Sequence, residues 1–438
     1  MNYKKKLVAV LLVMITVLCS ACGKKNNTDN PDDKKTITLA TPYLSDELRE
    51  AIEYFNDNND KYRIDPIRYT DYSDAEDHSD YIEKMNLNII SGKGPDIMVI
   101  DSEIPFESYT HKGLFEPLDK YLENDPELDK NDYLPNVIAI GEKDEILYSV
   151  IPMFNIETCA ASKAKLQGCV LTLSNYKELC EKNNVSPCKV FGGLSREDSE
   201  DLFICSALEL VDWKSNSCNF TCASFISMLE FVNSLPSESE NTYEKDLDDS
   251  EPLLCPVSIY GIEDYLLSKQ EFHNEATVFN GFPAGDTGIS YIQPGLQIAM
   301  SSKCKSKDAA WEFIRYFLTE SYQQQIEGFI PLSKNAFELM LAEAKQHHYY
   351  LNEDGDNIIA DDSGRISDCG MDLGYLTDEE IAEFRKLVEH SSINFYEDTK
   401  IVSIISEEAV DYLNGRKTAE DVASIVQSKI SLYLSENM

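Results

Sequence analysis

Ser91-Gly92-Lys93-Gly94-Pro95-Asp96-Ile97-Met98-Val99-Ile100 is a turn followed by an unbroken apolar run. Four consecutive apolar residues bounded by a turn suit a strand covered on both faces, as in a parallel sheet, better than a strand with one wet face. Upstream, Ile82, Met85 and Ile89 recur at helical spacing, and Gly92 supplies the stop. Before that helix, residues 64–69 read as a strand. Ser45 stands as an N-cap to an earlier helix with Leu48, Ile52 and Phe55 on one face. Residues 36–40 alternate into a first strand, and Pro42 and Tyr43 form the loop that follows it. The chain therefore opens as alternating strand and helix, and the fold class is α/β.

The same reading continues toward the other end. Residues 298–301 read as a strand, and Ser306 caps a helix whose face is Ala310, Phe313, Ile314 and Phe317. One late helix ends at Gly415, and another opens with Thr418 and Asp421 in capping-box spacing before Val422, Ile425 and Val426. Between Tyr349 and Ile366 the turns Asp354-Gly355 and Ser363-Gly364 separate short apolar stretches, which predicts hairpin strands. Asp354, Asp356, Asp361 and Asp362 crowd the same stretch, but the glycine is misplaced for an EF-hand loop, so no metal site is expected.

Lys4, Lys5 and Lys6 precede an apolar run at 7–18 that is too short to span a bilayer, which is the pattern of an export signal. It leads into Leu18-Cys19-Ser20-Ala21-Cys22-Gly23, which resembles the lipobox of bacterial lipoproteins with Cys22 as the acylated N-terminus. The expected organisation is a signal peptide at 1–21 and a polar, lipidated tether at 22–35. The folded part would then be held at the extracellular face of the cell membrane. About 400 residues remain, enough for two lobes.

Loss of Lys4, Lys5 and Lys6 leaves 36 basic against 78 acidic residues, a formal charge of −42. Nucleic acid is thereby excluded as a partner, and polyanions are disfavoured except at a local basic pocket. Ten cysteines follow Cys22, eight of them between Cys159 and Cys255, and no spacing pairs them with the six scattered histidines as a zinc site. Disulfides and buried free thiols both remain open. There is no Gly-x-Ser-x-Gly elbow, His-Glu-x-x-His, phosphate loop or dinucleotide fingerprint, so no cofactor is expected. A carboxylate pair for glycan hydrolysis is available in any chain with 78 acids, which keeps an extracellular hydrolase as the alternative reading.

Several segments, in order, resemble the extracellular solute-binding proteins of ABC importers, the family that includes maltose-binding protein. Residues 91–97 resemble its Gly-Pro-Asp turn, and Gly113-Leu114-Phe115-Glu116-Pro117-Leu118 the stretch that follows. Leu147-Tyr148-Ser149-Val150-Ile151-Pro152 resembles the first crossover between lobes, and Gly281-Phe282-Pro283 the return. Ala309-Ala310-Trp311-Glu312-Phe313-Ile314 and Glu407-Glu408-Ala409 through Gly415 resemble its later helices.

The resemblance implies a two-lobed periplasmic-binding-protein-like fold with discontinuous lobes joined by crossing strands: 36–149 with 288–330, and 150–287 with 331–438. It implies a monomer that closes on a small solute, a sugar or oligosaccharide above all, and delivers it to permease subunits. A lipoprotein that presents its ligand to a sensor, or serves adhesion, is a further alternative. Loops past the strand C-termini independently point to Tyr43, Ser102 and Glu103 as cleft residues. Carried over by position, Phe154, Asn155, Tyr260, Phe282 and Gln293 join them. With 24 tyrosines and 18 phenylalanines, any one aromatic is more often core than ligand platform, and Trp213 is expected to pack on a distal hairpin.

Overall fold

The computed structural model describes residues 34–67, 79–101, 104–192, 194–237, 252–270, 272, 276–346, 348–350, 359–360, 366–367, 371–391 and 399–437. The export signal, Cys22 and the tether up to residue 33 lie outside these residues. So do Ser102, Glu103 and the cluster Asp354, Asp356, Asp361 and Asp362.

The opening α/β unit forms as its sequence dictates. Strands β1 (Lys35–Ala40), β2 (Tyr62–Ile67) and β3 (Ile97–Val99) are parallel, with β1 in the middle. Helix α1 (Asp46–Asn58) follows β1, and its N-cap Ser45 accepts from the Leu48 amide. The apolar run at 97–100 is covered on both faces. Ile97 and Val99 join the core under α1, while Met98 and Ile100 join Tyr81 and Met85 of helix α2 (Ser79–Ile90). Gly92 ends α2 with φ +72, the left-handed conformation a helix stop favours.

The spine of the molecule is β4 (Ser149–Ser162), fourteen residues long and buried along almost its whole length. One edge of it pairs antiparallel with β7 (Tyr291–Met300) and then with β6 (Thr277–Phe279). Its other edge pairs antiparallel with β8 (Ile330–Pro331) and then with β5 (Cys255–Ile259). β7 continues onto β3, so all eight strands make one sheet.

Two large cores share this spine. Val150, Ile151, Met153, Phe154 and Ile156 of β4 belong to the first, with Ile37, Phe55, Phe313, Phe337 and Phe384, whereas Cys159 and Ala161 belong to the second, with Leu202, Phe225, Phe282 and Val426. Residues 331–438, read from the sequence as one block of the second lobe, are divided by this packing. Pairing of β8 with the first half of β4 commits the helices at Lys334–Glu343 and Asp378–His390 to the first core. Among the described residues of this block, only the helices at Thr399–Leu413 and Ala419–Asn437 join the second. Thr418 and Asp421 cap the last of these reciprocally, as their spacing predicts.

The return crossing also differs from its expected place. Gly281 turns at φ +73 into a small hairpin, Phe282–Ala284 with Thr287–Ile289, whose first strand is buried in the second core. The strand that crosses back is β7, ten residues later. Strands do form at His348–Tyr350, Ile359–Ala360, Ile366–Ser367 and Met371–Gly374. The nine cysteines among the described residues are unbridged, and Cys159 and Cys205 are wholly buried, with their thiols pushed well up by burial.

Candidate functional site

Where β4 passes from one core to the other, its alternation aims Asn155 and Glu157 at the same face. β7 places Gln293 opposite Asn155 and Tyr291 opposite Glu157, and β5 places Ser258 opposite Glu157 on the other edge. Directly opposed residues share a face, so the register builds a polar row across three strands. Asn155 Nδ2 donates to Glu157 Oε1 at 2.6 Å and to Gln293 Oε1 at 3.3 Å, and Ser258 Oγ donates to Glu157 Oε2 at 2.7 Å. Tyr291 extends the row by donating to Asp201 Oδ1 at 2.6 Å, from the helix at Glu200–Leu210.

The electrostatics of the row are one-sided. Among the described residues neither Glu157 nor Asp201 has a lysine or arginine at ion-pair distance. Burial raises the Glu157 carboxyl above the usual range, the nearby Asp201 charge adds to this, and the bonds from Ser258 and Asn155 oppose it. Asp201 is likewise raised by burial, against the bond from Tyr291.

Two aromatic rings border the row. Tyr260, just past β5, is 37% exposed and meets Phe329 edge-on with ring centroids 5.3 Å apart. Its phenol is raised first by burial and then by the Glu157 charge. The Asp264 carboxylate accepts from the backbone N–H groups of Tyr260 and Gly261 and fixes this turn. Phe329 can approach β7 this closely because Gly295 has no side chain: a Cβ there would sit 2.6 Å from the ring. The row can thus accept hydrogen bonds from hydroxyls while the rings cover an apolar face. Among the described residues no group of three or more His, Cys, Asp or Glu is placed to hold a metal.

Of the residues expected from the sequence, Asn155, Gln293 and Tyr260 come together here. Phe154 does not, because alternation turns it to the opposite face, where it is wholly buried in the first core. Phe282 is wholly buried in the second core against Tyr291. Tyr43 is 60% exposed in the loop after β1, and its carbonyl accepts from the Thr41 hydroxyl. Glu157, Ser258, Phe329 and Asp201 are additions. Period-two reading outward from Asn155 reaches Glu157, but the others need the register.

No family model matches the chain, and no curated protein does. Among solved structures, the sugar-binding protein MalE of the phytopathogen Xanthomonas citri aligns over 92% of this chain and 98% of its own, with TM-score 0.61 at 15% identity. The Arthrobacter globiformis cyclic α-maltosyl-1,6-maltose binding protein aligns over 92% and 100%, with TM-score 0.57 at 12% identity. An ABC substrate-binding protein of Listeria monocytogenes, in complex with cycloalternan, aligns over 92% and 100%, with TM-score 0.56 at 14% identity. The fold is that of the ABC substrate-binding proteins. β4 and β7 both run from one core to the other, and the polar row lies where they cross between the two.

A consequence for stability follows from Glu157. Its carboxyl is raised in the folded state, so its contribution is fully present below the ordinary carboxylate range and is lost as pH rises through the raised value. Glu157→Gln, which keeps the shape without ionising, is expected to stabilise the unliganded protein by about 1 kcal/mol near neutral pH. That is on the order of 1–2 °C in melting temperature. At about pH 4 the two proteins should melt together. Equal melting at both pH values would show that Glu157 carries no burial penalty.

Proposed function

We propose that this chain is the lipid-anchored substrate-binding subunit of an ABC importer, capturing a neutral sugar or oligosaccharide between its lobes. The observation that carries the proposal is the row Asn155, Glu157, Ser258 and Gln293 beside the Tyr260–Phe329 pair, at the strands joining the two cores. Aromatic rings cover the apolar faces of a sugar ring, and carboxylates and amides accept from and donate to its hydroxyls. A strongly acidic chain gains nothing from attraction to anions, while a neutral sugar carries no electrostatic penalty. Names of proteins sharing the fold agree with this chemistry: their own ligands include cycloalternan and mannotriose.

Closure would bend the joining strands. β7 breaks register between Pro294 and Leu296 and again between Leu296 and Ile298, which are the irregularities at which a strand flexes. The test is calorimetric titration against an oligosaccharide panel, with scattering at saturation and analysis of the recovered ligand. Expected are binding, a smaller radius of gyration and an unchanged ligand. Turnover of the glycan would instead favour the hydrolase reading, and absence of binding across the panel would overturn the sugar assignment.

The anchor is proposed from Cys22. Cys22→Ala is expected to release the protein into the medium, since a polar tether holds no affinity for the bilayer. Retention of that variant in the membrane fraction would refute it.

A further inference from the structure

A pocket of about 650 Å³ lies at the N-terminal ends of β1 and β3, where β7 ends. Lys35 at the start of β1, Lys93 in the turn before β3, and Lys303 and Lys305 after β7 line it together with Ser306. Three separated segments thus bring four lysines to one cavity in a protein of strongly negative charge. All four are exposed, and none has a carboxylate at ion-pair distance among the described residues. Lys307, next along the chain, is by contrast bound to Glu116 at 2.6 Å. Asp96 is the one acidic residue in the lining, and its Oδ2 is already engaged by the Thr38 amide and hydroxyl, each at 3.0 Å. The pocket therefore offers several ammonium groups and the Ser306 hydroxyl to a tetrahedral oxyanion.

Position selects the source of that anion. Lys35 stands at the start of β1, and the thirteen residues from Cys22 to Lys34 reach at most about 45 Å when extended. A lipid on Cys22 would therefore hold the pocket within that distance of the bilayer. The overall negative charge does not prevent contact, because at physiological salt charges beyond about 8 Å are screened.

We infer that this pocket seats the phosphate of anionic phospholipid headgroups and orients the anchored protein, an inference that rests on Cys22 carrying the lipid. β7 runs from Gln293 in the polar row to Met300 at the pocket, a distance of roughly 25 Å, so the headgroup contact turns the cleft away from the membrane.

The test uses the full chain with its anchor, isolated from membranes and placed in vesicles of phosphatidylcholine alone or with about one third phosphatidylglycerol. Amine-reactive labelling is read residue by residue by mass spectrometry. Labelling of Lys35, Lys93, Lys303 and Lys305 is expected to slow about fivefold in the anionic vesicles, the effect of one lysine at such a surface. Exposed Lys214 and Lys386 should be unchanged. In the variant Lys93→Gln with Lys303→Gln and Lys305→Gln, protection of Lys35 should vanish. Equal labelling in both vesicle types, for a chain that floats with both, overturns the inference and leaves the anchor standing. Protection by inorganic phosphate but not by phosphatidylglycerol overturns the headgroup assignment in favour of a small anion. A chain that floats with neither vesicle refutes the anchor, and the inference with it.

Discussion

Phe154→Ala is expected to lower the unfolding free energy by about 3–4 kcal/mol, the cost of deleting a buried phenylalanine and leaving a cavity. The residue has no exposed surface, belongs to the first core, and sits on β4 between Pro294 of β7 and Ile330 of β8. A side chain closed in by paired strands on both sides has no room to relax. Urea unfolding measures the effect directly. A variant of unchanged stability that no longer binds ligand would show that Phe154 faces the cleft.

Tyr260→Ala is expected to do the reverse, weakening ligand binding by about ten- to a hundredfold with the fold intact. Its ring is partly exposed and meets Phe329 edge-on, and the residue follows by two positions Ser258, the partner of Glu157. Glu157→Gln should lose roughly tenfold in affinity while gaining stability at neutral pH, a combination that marks a residue strained for binding. Trp213→Ala is the control. Trp213 follows Val211–Asp212, which pairs with Ser217–Cys218 in a hairpin, and it packs against the second core, so its loss should leave affinity unchanged. If Tyr260→Ala titrates like wild type, the site does not involve the Tyr260–Phe329 pair.

The local elements were legible because their signals are local. The run at 97–100, the Ser45 cap and the Thr418–Asp421 cap each need only a few neighbouring residues. The joining strands were not, and the reason is physical. β4 is covered on both faces and shows no alternation, and Pro152 interrupts it with a signal that ordinarily excludes a central strand. Pro152 is tolerated because it falls where β7 slips register, between the Met153–Leu296 and Val150–Ile298 pairs. Pro294 and Gly295 disguise β7 in the same way. With the register hidden, Asn155 and Gln293 could be suggested only by resemblance, and Ser258 and Phe329 not at all. The lysine pocket was equally invisible, since its members come from three segments that only the folded sheet brings together.

The sharing of β4 between two interleaved cores also sets the order of events for a chain that emerges from its N-terminus. β3 must wait for β7, about 200 residues later, before Val99 finds Ile298. The first core stays incomplete until Val388 is available, and the second until the helix at Ala419–Asn437 arrives. Long-range pairing of this kind closes slowly and late. Neither core can close while the chain is still being made, so commitment to the native shape waits for nearly the whole polypeptide.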